Sequence, residues 1–441
     1  MFLPHWVLQC ICALEQAGYR AYAVGGCVRD ALLGLEPHDY DLCTSATPEQ
    51  ICSVFDGHHL LHNGQKHGTI GVVTNGQVVE ITTFRTEGDY RDGRHPDWVR
   101  FVTDIQADLA RRDFTVNAMA YTPSEGYVDP WGGQQDLKNK ILRAVGNPET
   151  RFTEDALRIL RGVRFAVRFG LTPEPDTENA MIRLAPLMEQ LARERVFDEL
   201  CKLLPVITAP DLLRYEKILT QVLPELAPCV GFDQRTRHHI HDIYTHTAHV
   251  VESVPPVPAL RWAALLHDIG KPDCFSIGED GQGHFYGHAQ RSAEMASDAL
   301  RRLKSPTALR EQVHALIEAH MTLLEPDRKL LRRRLSRYGQ EVLEQLLELQ
   351  EADFTATGTK DAEQRALFRE LRNCLNEVLA EDACLGLKDL QVNGQDLMAL
   401  GIPAGPALGK ALNALLQQVL DETLPNEKEA LLDFARAMFT K

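Results

Sequence analysis

The apolar positions change period along the chain. His5, Trp6 and Cys10 open an amphipathic pattern running to about Gln16, which predicts a helix. A short apolar run, Tyr22-Ala-Val24, then ends in Gly25-Gly26, and a helical pattern follows over Cys27 to Leu33. Runs of β-forming residues recur at Gly68 to Thr74, Val78 to Phe84 and Trp98 to Val102, between short helical stretches. To about residue 135 the pattern is therefore α+β, with a mixed or antiparallel sheet. From about residue 148 the period is almost wholly helical. Prolines at 173, 175, 205, 210, 255, 256, 258 and 326 divide it into helix pairs. No fixed-period repeat or low-complexity segment interrupts it. The predicted architecture is an α+β head (1–138), a helical neck (139–205), a helical body (206–360) and a helical tail (361–441).

Composition narrows the setting. No apolar stretch has transmembrane length, and no basic region precedes an apolar one at the start, so neither a membrane span nor a secretory leader is expected. Ten cysteines are scattered without a C-x-x-C pair, which points to reduced thiols and a cytoplasmic protein. The net charge of −15 speaks against wholesale coating of nucleic acid but permits a local basic track. Arg328-Lys-Leu-Leu-Arg-Arg-Arg-Leu-Ser-Arg337 is such a track, either a solvated helix face or a contact for RNA phosphates.

The candidate chemistry gathers first at the glycine pair. Gly25 and Gly26 have no Cβ, so a triphosphate can lie against backbone N–H groups where the helix opens. Asp39 and Asp41 follow on what reads as the next strand. Residues two apart on a strand share a face, so both carboxylates can grip the same divalent cations. Glu80 is the lone acid in a β-branched run that otherwise reads as a buried strand, and it supplies a third carboxylate. Carboxylate-held Mg²⁺ beside a phosphate cradle is the equipment of nucleotidyl transfer.

Two arginine-rich segments come next. Asp108 to Met119 reads as a helix on which Arg112, Asp113 and Asn117 lie at neighbouring positions. That spacing suits a triphosphate and a ribose, and equally a surface ion-pair cluster. In Glu154-Asp155-Ala-Leu-Arg158-Ile-Leu-Arg161-Gly-Val-Arg164, the arginines recur every three residues and form a ridge on one helix face. Asp155 and Arg158 sit three apart, so they can meet side by side and offer acceptors and fork-like donors to a base edge.

Taken in order, the Gly-Gly/Asp-x-Asp head, the Arg-Arg-Asp-Phe-Thr segment and the Glu-Asp-x-x-Arg motif resemble the class II tRNA nucleotidyltransferases, the CCA-adding enzymes of bacteria. The resemblance runs through about residue 205 and resumes at Leu387 to Gly401, which is similar to the family's tRNA-binding tail. It implies that Asp39 and Asp41 bind Mg²⁺ with Glu80 as third carboxylate. Gly26, Arg29 and Arg112 would contact the nucleoside triphosphate. Asp155 and Arg158 would act as a protein template for CTP and then ATP, with Arg161 and Arg164 alongside. The family's flexible loop would correspond to residues 86–96, at full length. The implied partners are tRNA, CTP and ATP.

The body carries Ala264-Leu-Leu-His267-Asp268-Ile-Gly-Lys271, preceded by His246 and followed by His288, His320 and Asp353. This order resembles the HD-domain metal phosphohydrolases. It implies one divalent transition metal on His246, His267, Asp268 and Asp353, with His288 and His320 able to support a second. The implied substrates are 2′,3′-cyclic or terminal phosphates on RNA. The same fold can also serve as an RNA-binding scaffold without hydrolysis. Two other readings are a bacterial poly(A) polymerase, which shares head and neck, and an HD phosphohydrolase with a degenerate RNA-binding head. The full-length loop at 86–96 and the HD body make the polymerase the lesser choice, and the intact Asp39, Asp41 and Glu80 speak against a degenerate head.

Overall fold

A computed structural model describes residues 1–62, 64–87, 99–236, 240–279, 281–358, 362–381 and 385–439. The chain forms two compact units, Met1–Ile207 with Asp211–Pro224, and Thr208–Pro210 with Glu225–Lys441.

The head strands of the first unit are β1 (Ala21–Val24), β2 (Asp41–Thr44), β3 (His59–Leu61), β4 (Thr69–Thr74), β5 (Gln77–Thr83), β6 (Arg85–Glu87), β7 (Val99–Phe101), β8 (Ala120–Thr122) and β9 (Gly126–Val128). Seven of them make one mixed sheet in the order β3-β4-β5-β2-β1-β8-β9, while β6 and β7 pair separately. All neighbours in the sheet are antiparallel except β2 and β5. That parallel pair sets Asp41 level with Glu80 and Leu42 level with Ile81. Leu42, Val79 and Ile81 are fully buried, whereas Val78 on the other face is 48% exposed. β5 is therefore buried on one face only, not on both as its β-branched run suggests. Glu80 stands on the open face.

Beneath the sheet Tyr22, Cys43, Phe84, Ile105 and Leu109 form a closed core. The predicted N-terminal helix spans His5–Gln16. Its Trp6 meets Tyr40 edge to face at 5.4 Å between ring centroids. Tyr40 is buried between the exposed Asp39 and Asp41, so this packing fixes the segment that presents both carboxylates.

The neck attaches through Phe114. This fully buried ring lies 5.9 Å from Phe165 on the helix Leu157–Phe169 and 6.3 Å from Phe152 on the helix Pro148–Glu154. Gly162 permits the approach, because a Cβ there would stand 2.9 Å from Phe114 Cζ. Truncating a ring buried this way costs about 3–5 kcal/mol.

Among the described residues the second unit is helical apart from a ribbon of two short strands, Ser276–Ile277 and Gly283–His284. The helices Ile243–Ser253, Pro258–Leu266, His288–Arg302, Thr307–Ala319 and Gln340–Ala356 pack around Trp262, Leu265, Leu316 and Leu347. Further on, Leu397, Ala411, Leu415, Leu420 and Leu431 gather into a separate small core. No described helix is long and apolar enough to cross a membrane. The nine described cysteines are free.

Candidate functional site

The turn between β1 and the helix Gly26–Leu32 depends on Gly25. Its φ of 76° and ψ of −123° are unavailable to ordinary side chains. A Cβ at this position would also lie 2.9 Å from Arg112 Nη1. The backbone N–H of Gly25 donates to Met119 O at 3.0 Å, which ties the turn to the head's other arm. The helix beyond has only two turns, so its dipole is small. An anion here would rely on the bare backbone and on Arg112.

Arg112 is held by the buried Asp108 at 3.3 Å, and Asp108 also accepts from Arg111 Nη2 at 2.9 Å. Burial opposes the charge of Asp108, but the two guanidinium groups outweigh it and hold its carboxyl below the usual range. Asp41 differs. Although Asp41 reaches solvent, the surrounding head partly desolvates its carboxyl and pushes it up, as does the like charge of Glu80, with Asp39 adding to the effect and Arg112 opposing it. No described basic side chain pairs with Asp39, Asp41 or Glu80. Asp41 and Glu80 are level across the β2–β5 pair, with Asp39 two residues before Asp41 and Arg112 as the opposing charge near Asp41; carboxylate oxygens of this kind are donors suited to Mg²⁺. Asp39 precedes β2, which starts at Asp41, but the exposed–buried–exposed order of Asp39, Tyr40 and Asp41 keeps both acids on one side.

The segment Asp108–Met119 is not one helix. The helix Ile105–Ala110 stops there, Phe114 bridges to Ala144, and a single 3₁₀ turn covers Thr115–Asn117 before β8. Asp113 and Asn117 are nonetheless joined, Asn117 Nδ2 donating to Asp113 Oδ1 at 3.1 Å. From them a polar chain crosses the unit. Arg29 Nη1 donates to Asn117 Oδ1 at 2.5 Å, and Arg161 Nε and Nη2 donate to Asp113 Oδ2 at 2.9 and 2.7 Å. Arg164 Nε donates to Glu199 Oε2 at 2.6 Å, and Glu199 also lies 3.8 Å from Arg161. Burial lowers Arg29 from its ordinary pKa against the pull of Asp30, and Phe169 covers its guanidinium at 4.2 Å.

Asp155 and Arg158 do not lie on one helix and do not pair. Asp155 is the extended residue between the helices Pro148–Glu154 and Leu157–Phe169, and its Oδ1 accepts from Leu157 N at 3.1 Å. Its Oδ2 accepts from Arg195 Nη2 at 2.7 Å. Arg158 is buried, donating to Glu154 Oε2 at 2.7 Å and to the carbonyls of Arg151 and Arg111 at 3.1 and 3.0 Å. Nor are Arg161 and Arg164 an outward ridge, since both end on buried acids. Arg195 and Glu199 escape sequence reasoning because each is one charge among several on the helix Arg193–Leu203. The available signal is that Glu199 directly precedes Leu200 in the apolar stripe Val196, Leu200, Leu203.

With this geometry, likeness to known proteins becomes informative. Residues 21–143 match the family described as "Poly A polymerase head domain", and residues 285–435 match "tRNA nucleotidyltransferase domain 2". The CCA-adding enzyme of Geobacillus stearothermophilus is 34% identical over 424 residues, which is 95% of this chain and 93% of that one. That of Lactiplantibacillus plantarum is 35% identical, covering 96% and 93%. This chain belongs to the CCA-adding enzyme family. It is a tRNA nucleotidyltransferase. The crystal structure of the Bacillus stearothermophilus CCA-adding enzyme in complex with CTP superposes with a TM-score of 0.71 at 30% identity, over 99% of this chain and 98% of that one. The Thermotoga maritima CCA-adding enzyme complexed with tRNA shares the fold, with a TM-score of 0.60 at 20% identity, over 98% of this chain and 94% of that one.

In this CCA-adding enzyme family member the second unit brings together all four predicted ligands of the body. His246 Nε2 lies 2.9 Å from Asp353 Oδ1 and 3.7 Å from Asp268 Oδ2, and His267 Nε2 lies 3.2 Å from Asp268 Oδ2. Among the described residues, two groups place their ligand atoms within 4.8 Å of one another: His246, His267 and Asp268, and Asp268, His288 and His320. Burial would raise the Asp268 carboxyl, but His267 and Lys271 hold it well below its ordinary range. Burial first, then His267, draw His320 down to about 4. Lys271, whose part the sequence does not announce, stands 2.7 Å from Asp268 Oδ2. A cavity of about 530 Å³ opens beside the cluster, bounded by Asp268, His288, His320 and Asp353 on one side and Phe354 and Phe368 on the other.

The basic track folds as the helix Arg328–Tyr338, but much of its charge is matched. Arg328 pairs with Glu381, Arg332 with Glu381 at 2.5 Å and Glu422 at 2.7 Å, and Arg333 with Asp421 at 2.6 Å. Of the expected loop at 86–96, Thr86 and Glu87 finish β6; residues 88–96 lie outside the described residues.

Proposed function

We propose that this chain completes or repairs the 3′-terminal CCA of tRNA from CTP and ATP, without a nucleic-acid template and with release of pyrophosphate. The observation that carries the reading is the register of Asp41 with Glu80, with Asp39 beside them and the Gly25–Arg112 turn adjoining. Magnesium held by Asp39, Asp41 and Glu80 would supply Lewis-acid activation of the tRNA 3′-hydroxyl and neutralise charge on the leaving pyrophosphate. Gly25, Gly26 and Arg112 receive the triphosphate, and Asp113 and Asn117 hold the ribose side. Arg29 braces Asn117 from behind.

Base selection falls to Asp155 and Arg158, with Arg161 and Arg164 setting the neighbouring surface. Support comes from the bond of Arg158 to the Arg111 carbonyl, which puts its fork next to the Arg112 triphosphate position. To read a base, Asp155 leaves Arg195 and Arg158 turns from Glu154. The work divides among the head (1–138), neck (139–205), body (206–360) and tail (361–441). Asp41→Asn and Glu80→Gln are each expected to abolish nucleotide addition to a tRNA lacking its 3′ end while the fold persists. Retention of full activity in either would remove the reading.

A second activity is favoured by the convergence of His246, His267, Asp268 and Asp353 beside an open cavity. With a divalent transition metal this site hydrolyses terminal or 2′,3′-cyclic phosphates on RNA. Opening of a 2′,3′-cyclic nucleotide to its monophosphate, and release of phosphate from a terminal monoester, both lost in His267→Ala, are the expected results.

A further inference from the structure

The cavity beside the body's histidines is larger and more apolar than a phosphate group requires. Its volume of about 530 Å³ falls within the roughly 300–1,000 Å³ of pockets that enclose a small organic ligand. The histidines and acids occupy one end, and away from them the wall is aromatic and aliphatic. Phe354 directly follows Asp353 on the helix Gln340–Ala356. It meets Phe368 of the helix Ala362–Ala380 at 6.2 Å between ring centroids. Neither ring offers anything to a phosphate or a sugar hydroxyl.

Tyr286, Met321 and Leu323 also line the cavity, exposed by 79%, 62% and 70%. They are three of the four most exposed large apolar side chains described in the second unit. Such a concentration at one cavity marks a surface that something covers. The Tyr286 ring lies almost parallel to His284, with 5.3 Å between centroids and 11° between planes. One face is thus backed by imidazole while the rest of the ring meets solvent. An aromatic ring presented in this way is a platform for a nucleobase, because every base has a π face to stack.

Gln350 adds a direction. Its Nε2 donates to the carbonyls of His320 and Thr322 at 2.8 and 2.7 Å, which uses both amide hydrogens and fixes the way the amide points. Oε1 is then the acceptor that Gln350 offers to the cavity it lines. It can take a hydrogen from the exocyclic amine of adenine or cytosine, whereas uracil carries a second acceptor at that position.

We propose that this cavity is a nucleoside subsite, which seats the unpaired 3′-terminal nucleotide of an RNA with its base against Tyr286 and Phe354, and in which Gln350 favours adenine or cytosine over uracil. This rests on the reading of the adjoining cluster as a phosphohydrolase centre, which acts on the 2′,3′-cyclic or terminal phosphate of that nucleotide. A paired base has its amine engaged and its face stacked, so a duplex end does not fit. A base-free phosphate ester meets only the polar end.

The test uses the full-length chain. The chelator-treated protein is first cross-linked with 2-azidoadenosine 2′,3′-cyclic phosphate, and the labelled peptides are mapped. Label at Tyr286 or within 321–324 is expected, whereas label confined to the head, or none, would overturn the subsite. The Co²⁺-loaded protein is then compared on adenosine, cytidine and uridine 2′,3′-cyclic phosphates and on base-free glycerol 1,2-cyclic phosphate. For the adenosine and cytidine esters kcat/KM is expected to exceed that for uridine by roughly 10-fold, the scale of one hydrogen bond. Tyr286→Ala, a change at an exposed position, should raise KM for the nucleoside esters by roughly 10-fold, the scale of one lost base stack, with kcat altered less. Equal kcat/KM for the glycerol and nucleoside esters would overturn the subsite. Hydrolysis of none of these esters, with the body still labelled, would remove the phosphohydrolase reading and leave the subsite standing.

Discussion

Arg158 shows why a charge count is a poor guide at the scale of one residue. Its Nη1 donates to Glu154 and the Arg151 carbonyl while Nη2 donates to the Arg111 carbonyl, a division over two nitrogens of a planar fork that a single ammonium nitrogen does not reproduce. Arg158→Lys is therefore expected to lower CTP-over-UTP selectivity by roughly 10-fold, the scale of one lost bidentate contact, with a smaller loss of total rate. Unchanged selectivity in competition assays would contradict the assignment. Gly25→Ala should be severe for two reasons at once, its positive φ and the 2.9 Å approach of Arg112. Its expected signature is a raised KM for both nucleotides.

Asp113 carries a pH prediction. Burial opposes its charge, yet Arg161 and the Asn117 hydrogen bond bring its carboxyl to about 2 from 3.8. The lowered folded value means that stability is present above 3.8 and is lost as pH falls through about 2. The difference corresponds to at most about 2 kcal/mol, nearer 1 kcal/mol once the partly exposed Arg161 is allowed for. Denaturant midpoints measured from pH 5 to pH 2 should fall less steeply in Asp113→Asn than in the unaltered chain. Parallel curves would count against the Asp113–Arg161 pair.

At the scale of elements, apolar period was the dependable guide. The N-terminal helix, the glycine turn and the strands near 69–74 and 77–83 follow from it. What escaped it were breaks made by side chains. Asp155 ends one helix by capping Leu157 N and reaching Arg195, although no glycine or proline marks the spot. Likewise the helix at 105–110 yields to the Phe114 bridge and to Thr115, which donates to the buried Asp136 at 2.7 Å. Partners distant in sequence decide both. The basic helix Arg328–Tyr338 makes the same point, since its acidic partners lie about 50 to 90 residues downstream. Arg332→Ala should therefore lower the denaturant midpoint of the second unit only slightly, because its acidic partners Glu381 and Glu422 are partly exposed. It should leave the salt dependence of tRNA binding unchanged, whereas loss of a phosphate contact would reduce the log–log slope by about 1.

At the scale of the whole molecule, the change from a mixed sheet to helices was plain in the sequence, and the side chains of His246, His267, Asp268 and Asp353, grouped there, do converge in the body. Ordered motifs reveal such groups because their chemistry requires particular side chains at fixed spacing. The supporting charges Arg195, Glu199 and Lys271 were not legible in their roles, because any surface helix carries similar residues. Glu154, though part of the Glu-Asp-x-x-Arg motif, gave no sign that it would pair with Arg158. The reaction needs no wholesale attraction of RNA, and a chain of net charge −15 is compatible with that.

The central claim is tested most directly by incubating the protein with Mg²⁺ and a tRNA lacking its 3′ end, supplying CTP and ATP separately and together. Extension by three nucleotides, only when both are present, is the predicted result. Long adenylate tails from ATP alone, or no extension under any condition, would contradict it.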